Sequence, residues 1–277
     1  MRLKLGDFGE PVRRQQRALN RVGSLLLVDG EYGPGTQAAV VEACAFVKRP
    51  IATHADDELI ALLEMRPEPS AELTTPGVVF IGREEVSSPA AYRAKYRRPV
   101  WPPAPSGITI GIGYDLQFVT KAQFQADWGS VLPPATLARF EPAIGVTGSR
   151  MLVDAVRDVD IPLPSAVDVF LRRMVPTHAA RTRSIYPSLD TLSPARRTAL
   201  ISLVFNRGTD LSGERRREMK QIQALLADGS AAAMDAVAGQ IESMTRLWSP
   251  DSAQGLITRR RREAQLWREG FGTLRLV

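Results

Sequence analysis

The sequence predicts a mainly α-helical protein with one small β element, arranged as a three-helix domain followed by a larger α+β domain. Three observations lead to this prediction. Apolar residues recur at helical spacing along most of the 277 residues. One short stretch, Ile108–Tyr114, alternates strictly between apolar and small or polar residues. Residues 66–77 contain three prolines and no apolar period, as linkers do. The predicted divisions are therefore 1–65, a linker over 66–77, and 78–277.

In the first division, residues 1–65, the spacing of apolar residues predicts three short helices, over 12–22, 36–47 and 57–65. The second of these follows a glycine-rich turn, and Thr36 is the residue placed to cap it. Cys44 lies at core spacing in that helix, so a buried structural thiol is expected.

The second division predicts a helix over 78–86, a Pro- and Arg-rich loop, and the strand at 108–114. Alternation in the strand places Thr109 and Asp115 on one face and Tyr114 on the other. Ser193-Pro194 is a helix-start signal, and the glycine of Asn206-Arg-Gly208 is a stop signal. A basic helix is predicted from about Gln254 to Glu269.

Composition excludes several classes of function. One cysteine allows no internal disulfide, and two histidines hardly supply a zinc hydrolase, so we expect neither a metal nor a cofactor. The beginning of the sequence lacks the apolar core of a secretory signal, and no apolar run is long enough to span a membrane. The expected product is made in the cytoplasm without membrane insertion.

Positive charge is concentrated in the second division. The formal charge is +6; residues 1–65 carry 8 Lys and Arg against 9 Asp and Glu, and residues 66–277 carry 28 against 21. The runs Arg215–Arg217 and Arg259–Arg262 are flanked by glutamates and are interpreted as solvated helix faces. We therefore expect no nucleic-acid binding, and an anionic polymer of another kind accounts for the charge.

Carboxylates are the remaining groups that can carry catalysis. Glycosidic cleavage uses one carboxylic acid to protonate the leaving oxygen and, in most families, a second carboxylate that activates water or attacks the sugar. Glu84 and Glu85 end an apolar helix, where partial burial favours a proton donor. Asp115 ends the predicted strand.

These residues lie in a pattern that resembles the phage-type muramidases of glycoside hydrolase family 24, most closely their pesticin-like branch. The pattern is Glu85, a loop, and Thr-Ile-Gly-Ile-Gly-Tyr-Asp at 109–115. The stretch ending Phe-Asn-Arg-Gly at 205–208 is similar to the family's central helix. The stretch 255–267 is similar to its C-terminal Arg-Arg-x-x-Glu helix.

The first division resembles the three-helix peptidoglycan-binding module. The resemblance rests on Asp-Gly-Glu-Tyr-Gly-Pro-Gly-Thr at 29–36, with Phe46-Val47 in place of the usual closing Phe-Gln. It implies that Asp29 and Tyr32 contact wall polymer; the alternative is that Asp29 and Gly30 only shape the turn.

The muramidase resemblance implies a role for each candidate. Glu85 would protonate the glycosidic oxygen between N-acetylmuramic acid and N-acetylglucosamine, while Asp115, assisted by Thr109, would position and deprotonate water. A fully extended strand from 109 to 115 spans roughly 20 Å, too far for one sugar bond, so Gly111 and Gly113 must bend it. If they do not, Thr109 works with Glu85 and Asp115 is structural. Glu85 is preferred over Glu84 as the acid.

Two further residues are candidate walls of the substrate cleft. Tyr114 could line it or lie in the core, and Asn206 could line it or end its helix.

Together the resemblances imply a phage endolysin that reaches the wall, in the periplasm, after a separate protein disrupts the membrane. We expect a monomer whose partner is bacterial peptidoglycan. The alternatives are a catalytically idle peptidoglycan-binding protein with a lysozyme-like domain and, less favoured, a thiol amidase using Cys44 with His54.

Overall fold

The computed structural model describes residues 2–102 and 105–272 and confirms the predicted fold class, because 64% of it is helical and 4% is strand. The chain forms two compact units. The first contains the residues up to Ala71 together with Gly82–Val175, and the second contains Glu72–Ile81 together with the residues from Pro176 onward.

Three helices at the beginning of the first unit have a core of their own. They are α1 (Glu10–Asn20), α2 (Pro34–Phe46) and α3 (Asp57–Glu64), and strands β1 (Arg2–Leu3) and β2 (Ala55–Asp56) pair antiparallel beside them. Every buried residue of this core cluster lies between Leu3 and Leu63, and Cys44 is among them, as predicted. The prediction that Thr36 caps α2 was wrong. The helix begins earlier, at Pro34, because proline fits a first helical turn, and Thr36 is buried within it.

Helix α4 (Thr75–Val86) begins inside the predicted linker, and it is followed by α5 (Pro89–Ala91), which continues as a wide helical turn over Tyr92–Tyr96. Two short strands come next, β3 (Thr109–Ile110) and β4 (Tyr114–Asp115). The remaining helices of the first unit are α6 (Lys121–Trp128), α7 (Pro134–Phe140), α8 (Arg150–Asp154) and α9 (Leu163–Val169).

The three-helix core packs directly on the rest of the first unit. Leu25 lies against Gly82 of α4 so closely that a Cβ there would be 2.8 Å from Leu25 Cδ2. The Arg83 Nη1 donates to the Leu25 carbonyl at 3.2 Å. Arg93 donates two hydrogen bonds to the Glu42 carboxylate, at 2.9 and 2.8 Å, and both side chains are only about 20% exposed. The small domain is therefore docked on the element that carries Glu85.

The second unit is a helical bundle. Its helices are α10 (Val175–Ile185), α11 (Pro194–Arg207), α12 (Arg217–Asp228), α13 (Ala231–Ser243) and α14 (Pro250–Glu269). Helix α11 begins after the capping Ser193 and ends before Gly208 (φ 70°), as predicted. Its middle residues are all buried, and the first half of α4 reaches it where Gly77 faces the Thr198 hydroxyl.

Helices α14 and α11 share a buried ionic cluster, defined as Arg259, Arg260 and Glu263 of α14 with Ser202 of α11. The Glu263 Oε1 accepts from Ser202 Oγ at 2.6 Å and from Arg260 Nη2 at 2.7 Å, while Arg259 Nη2 donates to the Ser202 carbonyl at 3.0 Å. All four residues are buried. The interpretation of Arg259–Arg262 as a solvated face was therefore wrong for its first two residues, although Arg261 is exposed.

Candidate active site

Thr109 and Asp115 lie side by side, because the predicted strand is in fact a hairpin. Strands β3 and β4 pair antiparallel with Thr109 opposite Asp115 and Ile110 opposite Tyr114. Gly111 (φ 57°) and Gly113 (φ 68°) make the turn in backbone conformations that favour glycine. The prediction of one continuous strand over 108–114 was therefore wrong, but the bend at Gly111 and Gly113, which the roles of Thr109 and Asp115 require, is present.

The register brings the two side chains to the same face of the hairpin. The neighbouring backbone bond runs from Leu116 N–H to the Ile108 carbonyl at 2.9 Å, so Thr109 and Asp115 form a non-hydrogen-bonded pair. In such pairs the Cα atoms are about 4.5 Å apart and the side chains are at their closest. Thr109 also pairs on its other side with Val100, through two backbone bonds of 2.9 and 2.8 Å.

Backbone N–H groups hold the Asp115 carboxylate at both oxygens. Gly107 N–H donates to Oδ2 at 3.2 Å, and Gln117 N–H donates to Oδ1 at 2.9 Å, so Asp115 caps the helical turn Leu116–Phe118. A side chain at Gly107 would overlap Asp115 Oδ1 and would lie 2.6 Å from Gln117 Cβ. Each carboxylate oxygen has two acceptor sites, so the carboxylate is fixed in place and can still accept from a water.

Glu84 and Glu85 occupy the last turn of α4, on a different element of the same unit. Both are half-buried. Ser87 directly follows the last residue of the helix. It adopts a left-handed backbone conformation (φ 65°) and donates its N–H to the Arg83 carbonyl at 2.7 Å. A non-glycine residue in this conformation is uncommon and costs free energy. The Ser88 hydroxyl then caps α5 by accepting from Ala91 N–H at 3.0 Å. The chain direction after Glu85 is thereby closely fixed.

Tyr114 lies in the core and not on a cleft wall. It is 2% exposed, its hydroxyl donates to Asp127 Oδ2 at 2.7 Å, and its ring meets the Trp128 ring edge-on at 5.6 Å. Burial, together with the hydrogen bond to Asp127, raises the pKa of this phenol. Tyr114 therefore supports the hairpin from beneath.

Asn206 is exposed in the last turn of α11, immediately before the helix stop at Gly208. It belongs to the second unit, whereas Glu85, Thr109 and Asp115 all belong to the first.

The two candidate wall contacts of the small domain differ in placement. Tyr32 is 2% exposed and belongs to the three-helix core; its hydroxyl donates to the Thr53 carbonyl at 3.0 Å, and burial raises its pKa to about 12. A buried ring offers no surface to a polymer, so this prediction is corrected. Asp29 is exposed, but its Oδ1 accepts from Gln16 Nε2 at 2.7 Å and from Glu31 N–H at 2.9 Å, which shapes the turn.

Asp29 also lines a groove that the sequence analysis did not predict. The groove has a volume of about 220 Å³ and runs from the Asp29 turn to Arg83, in the last part of α4, and to Ser88, which follows that helix. Its two sides are distant in the sequence, and only the docking of the small domain brings them together. No local pattern could have indicated it.

Gly107, Gln117 and Trp101 are further residues at the hairpin that sequence reasoning missed. The only signal in the sequence was that Gly107 directly precedes the alternating stretch. The role of Gly107 becomes clear only in the structure, where its N–H donates to Asp115.

Among the residues that the structure describes, no group of three His, Cys, Asp or Glu side chains is arranged to hold a metal ion. Within the same residues, no helix combines the length and apolar character that crossing a membrane requires.

Comparison with protein-family models yields no match for this chain, and comparison with curated proteins yields none either.

Proposed function

We propose that this protein is a peptidoglycan hydrolase of the endolysin type, a muramidase that cleaves the β-1,4 bond between N-acetylmuramic acid and N-acetylglucosamine. The observation that carries the proposal is the pairing of Thr109 with Asp115 across the hairpin. It supports a water-positioning role because it supplies a hydroxyl and a fixed carboxylate side by side.

Glu85 is assigned the role of proton donor. Its position in the last turn of α4, half-buried and in the same unit as the hairpin, supports this role. Glu84 shares the turn and the degree of burial, so it provides the matched control.

The small domain is assigned to wall binding, and the exposed Asp29 with its groove is the surface proposed for it. Because this domain is docked beside α4, a polymer bound there would lie near the helix that carries Glu85. No cofactor takes part in the proposed reaction. We place its action at the cell wall, after the membrane has been disrupted.

The decisive experiment is digestion of purified peptidoglycan with mass spectrometry of the products. New reducing-end N-acetylmuramic acid supports the proposal, whereas anhydro-sugars or free amino groups would assign different chemistry. If the unaltered protein releases nothing but still binds the wall, the catalytically idle alternative replaces the proposal.

Variants then separate the roles. Glu85→Gln should lower the rate by about 10²–10⁴-fold, the usual contribution of a general acid, while Glu84→Gln should leave most activity. The reverse result would move the acid to Glu84. Asp115→Asn and Asp115→Ser can both cap the following turn but lack the charge. If both retain full activity, Asp115 is structural and Thr109 acts with the acid alone.

A further inference from the structure

A half-exposed tryptophan lies beside the paired Thr109 and Asp115, and the proposed chemistry does not use it. Trp101 is 39% exposed, which is unusual for so large an apolar ring. It directly follows Val100, the residue that pairs with Thr109. The sequence predicted only a loop here.

The indole of Trp101 is held in one orientation although it is exposed. Its Nε1–H donates to the Ser106 carbonyl at 3.3 Å. On one edge the backbone of Gly148 approaches so closely that a Cβ there would overlap Cδ1 and would lie 2.6 Å from Nε1. Gly148 N–H donates to the same Ser106 carbonyl at 3.0 Å. A ring fixed in this way loses little conformational entropy when a ligand binds to it.

A single peptide group links Trp101 to the Asp115 carboxylate. The carbonyl of the Ser106–Gly107 peptide accepts from Trp101, and the N–H of the same peptide donates to Asp115 Oδ2 at 3.2 Å. Because the peptide group is rigid and planar, Trp101 Nε1 and Asp115 Oδ2 are no more than about 9 Å apart. Neighbouring sugar units of one glycan strand can span such a separation.

Two more exposed apolar side chains lie on segments that are hydrogen-bonded to the hairpin or to residues beside it. They are Val146 and Phe118, and with Trp101 we call them the apolar rim. The segment carrying Val146 is anchored at both ends, by Gly145 N–H to the Leu116 carbonyl at 2.9 Å and by Gly148 to Ser106.

We propose that Trp101 is a sugar-binding platform on which an N-acetylated sugar of the glycan strand stacks, next to the unit held at Thr109 and Asp115. This proposal rests on the proposed function. A pyranose ring presents a face of C–H groups, which are attracted to the electron-rich face of an indole. The adjacent carboxylate and hydroxyl bind sugar hydroxyls. An aromatic face with polar acceptors along one edge suits a carbohydrate better than it suits an apolar protein or lipid surface.

The test measures binding in a full-length protein that carries Glu85→Gln, which should slow turnover enough for binding to be measured. The probe is a soluble β-1,4-linked N-acetylglucosamine hexamer, followed by calorimetry and by tryptophan fluorescence. Trp101→Ala should weaken binding roughly tenfold, the value of one aromatic contact, and should abolish the fluorescence change. Trp101→Phe should keep the affinity within about threefold, because the ring is retained. Met65→Ala, which truncates an exposed apolar side chain elsewhere, should have no effect.

The possible outcomes separate this proposal from the proposed function. If Trp101→Ala binds the hexamer as tightly as its parent while the catalytic protein still degrades peptidoglycan, the platform is refuted and the muramidase assignment stands. If the unaltered protein yields no muramidase products, the proposed function fails first.

Vesicles containing anionic phosphatidylglycerol form a second arm. Loss of vesicle binding without loss of hexamer binding in Trp101→Ala would assign the rim to a membrane and overturn the proposal. Should Trp101→Ala not fold, Trp101→Leu keeps an apolar side chain without an aromatic face and serves the same comparison.

Discussion

Replacing Glu263 by alanine tests the buried ionic cluster of α14 and α11. The side chains of Glu263 and Arg260 are fully buried, and their closest atoms are 2.7 Å apart. The same Glu263 oxygen accepts from the buried Ser202 hydroxyl. Glu263→Ala removes the carboxylate and leaves the guanidinium groups of Arg259 and Arg260 in an interior that stabilises positive charge poorly.

The expected loss is large for a single substitution. Removing one partner of a buried ion pair costs about 3–5 kcal/mol, whereas a typical surface substitution changes the free energy of unfolding by less than about 0.5 kcal/mol. For a chain of this size each kcal/mol lowers the unfolding midpoint by about 3 °C, so a decrease of roughly 10–15 °C is expected.

Differential scanning calorimetry with urea unfolding measures this loss, and it also shows whether the two units unfold together. Arg261→Ala, in the same helix but exposed, is the matched control and should leave the midpoint unchanged. The double variant Arg260→Met with Glu263→Leu should recover only part of the stability, because apolar side chains replace the Arg260–Glu263 pair at little cost while the buried Arg259 still lacks the Glu263 carboxylate. A loss below about 1 kcal/mol in Glu263→Ala would refute this reasoning.

Two further predictions concern the hairpin and a buried histidine. Gly107→Ala should displace the Asp115 carboxylate, lower the free energy of unfolding by about 1–3 kcal/mol and remove most wall-degrading activity. The control is Gly239→Ala, where the added methyl group meets open space, and it should keep both stability and activity. A Gly107→Ala protein that is active and stable would contradict the geometry. Burial lowers the pKa of His178, stacked on Phe205, from 6.5 to about 4, so the unfolded chain binds the proton first as the pH falls. Stability from this group is complete above pH 6.5 and is lost towards pH 4. A urea titration should show roughly 3 kcal/mol of this loss absent from His178→Phe, and equal pH dependence in both proteins would exclude the effect.

Helices with local start and stop signals were predictable from the sequence. Ser193, Pro194 and Gly208 define α11 through bonds and backbone angles within a few residues of each end. The start of α4 was not predictable in this way. Pro76 resembles linker sequence, but it is tolerated in a first helical turn, and the contact that places this turn, between Gly77 and Thr198, joins residues distant in the sequence.

The candidate site was predictable in its residue types and only partly in its geometry. The alternation over Ile108–Tyr114 correctly identified the buried set, since every apolar member is buried, but two glycines turned the chain back. Residue type alone could not tell whether Tyr32 and Tyr114 face a ligand or the core, because a tyrosine suits both. Burial of Arg259 depends on Ser202, on another helix, and no local pattern contains that pairing.

The order in which the chain is made has a consequence for the way these two units assemble. The small core is built from residues 3–63 alone, so it can close as soon as that stretch leaves the ribosome. Residues Glu72–Ile81 belong to a unit that is completed only from Pro176 onward. Until then the apolar run Val78–Ile81, fully buried in the finished protein, has no permanent partners within its unit. During synthesis this run is therefore an apolar segment that stays open to aggregation until the later helices are made.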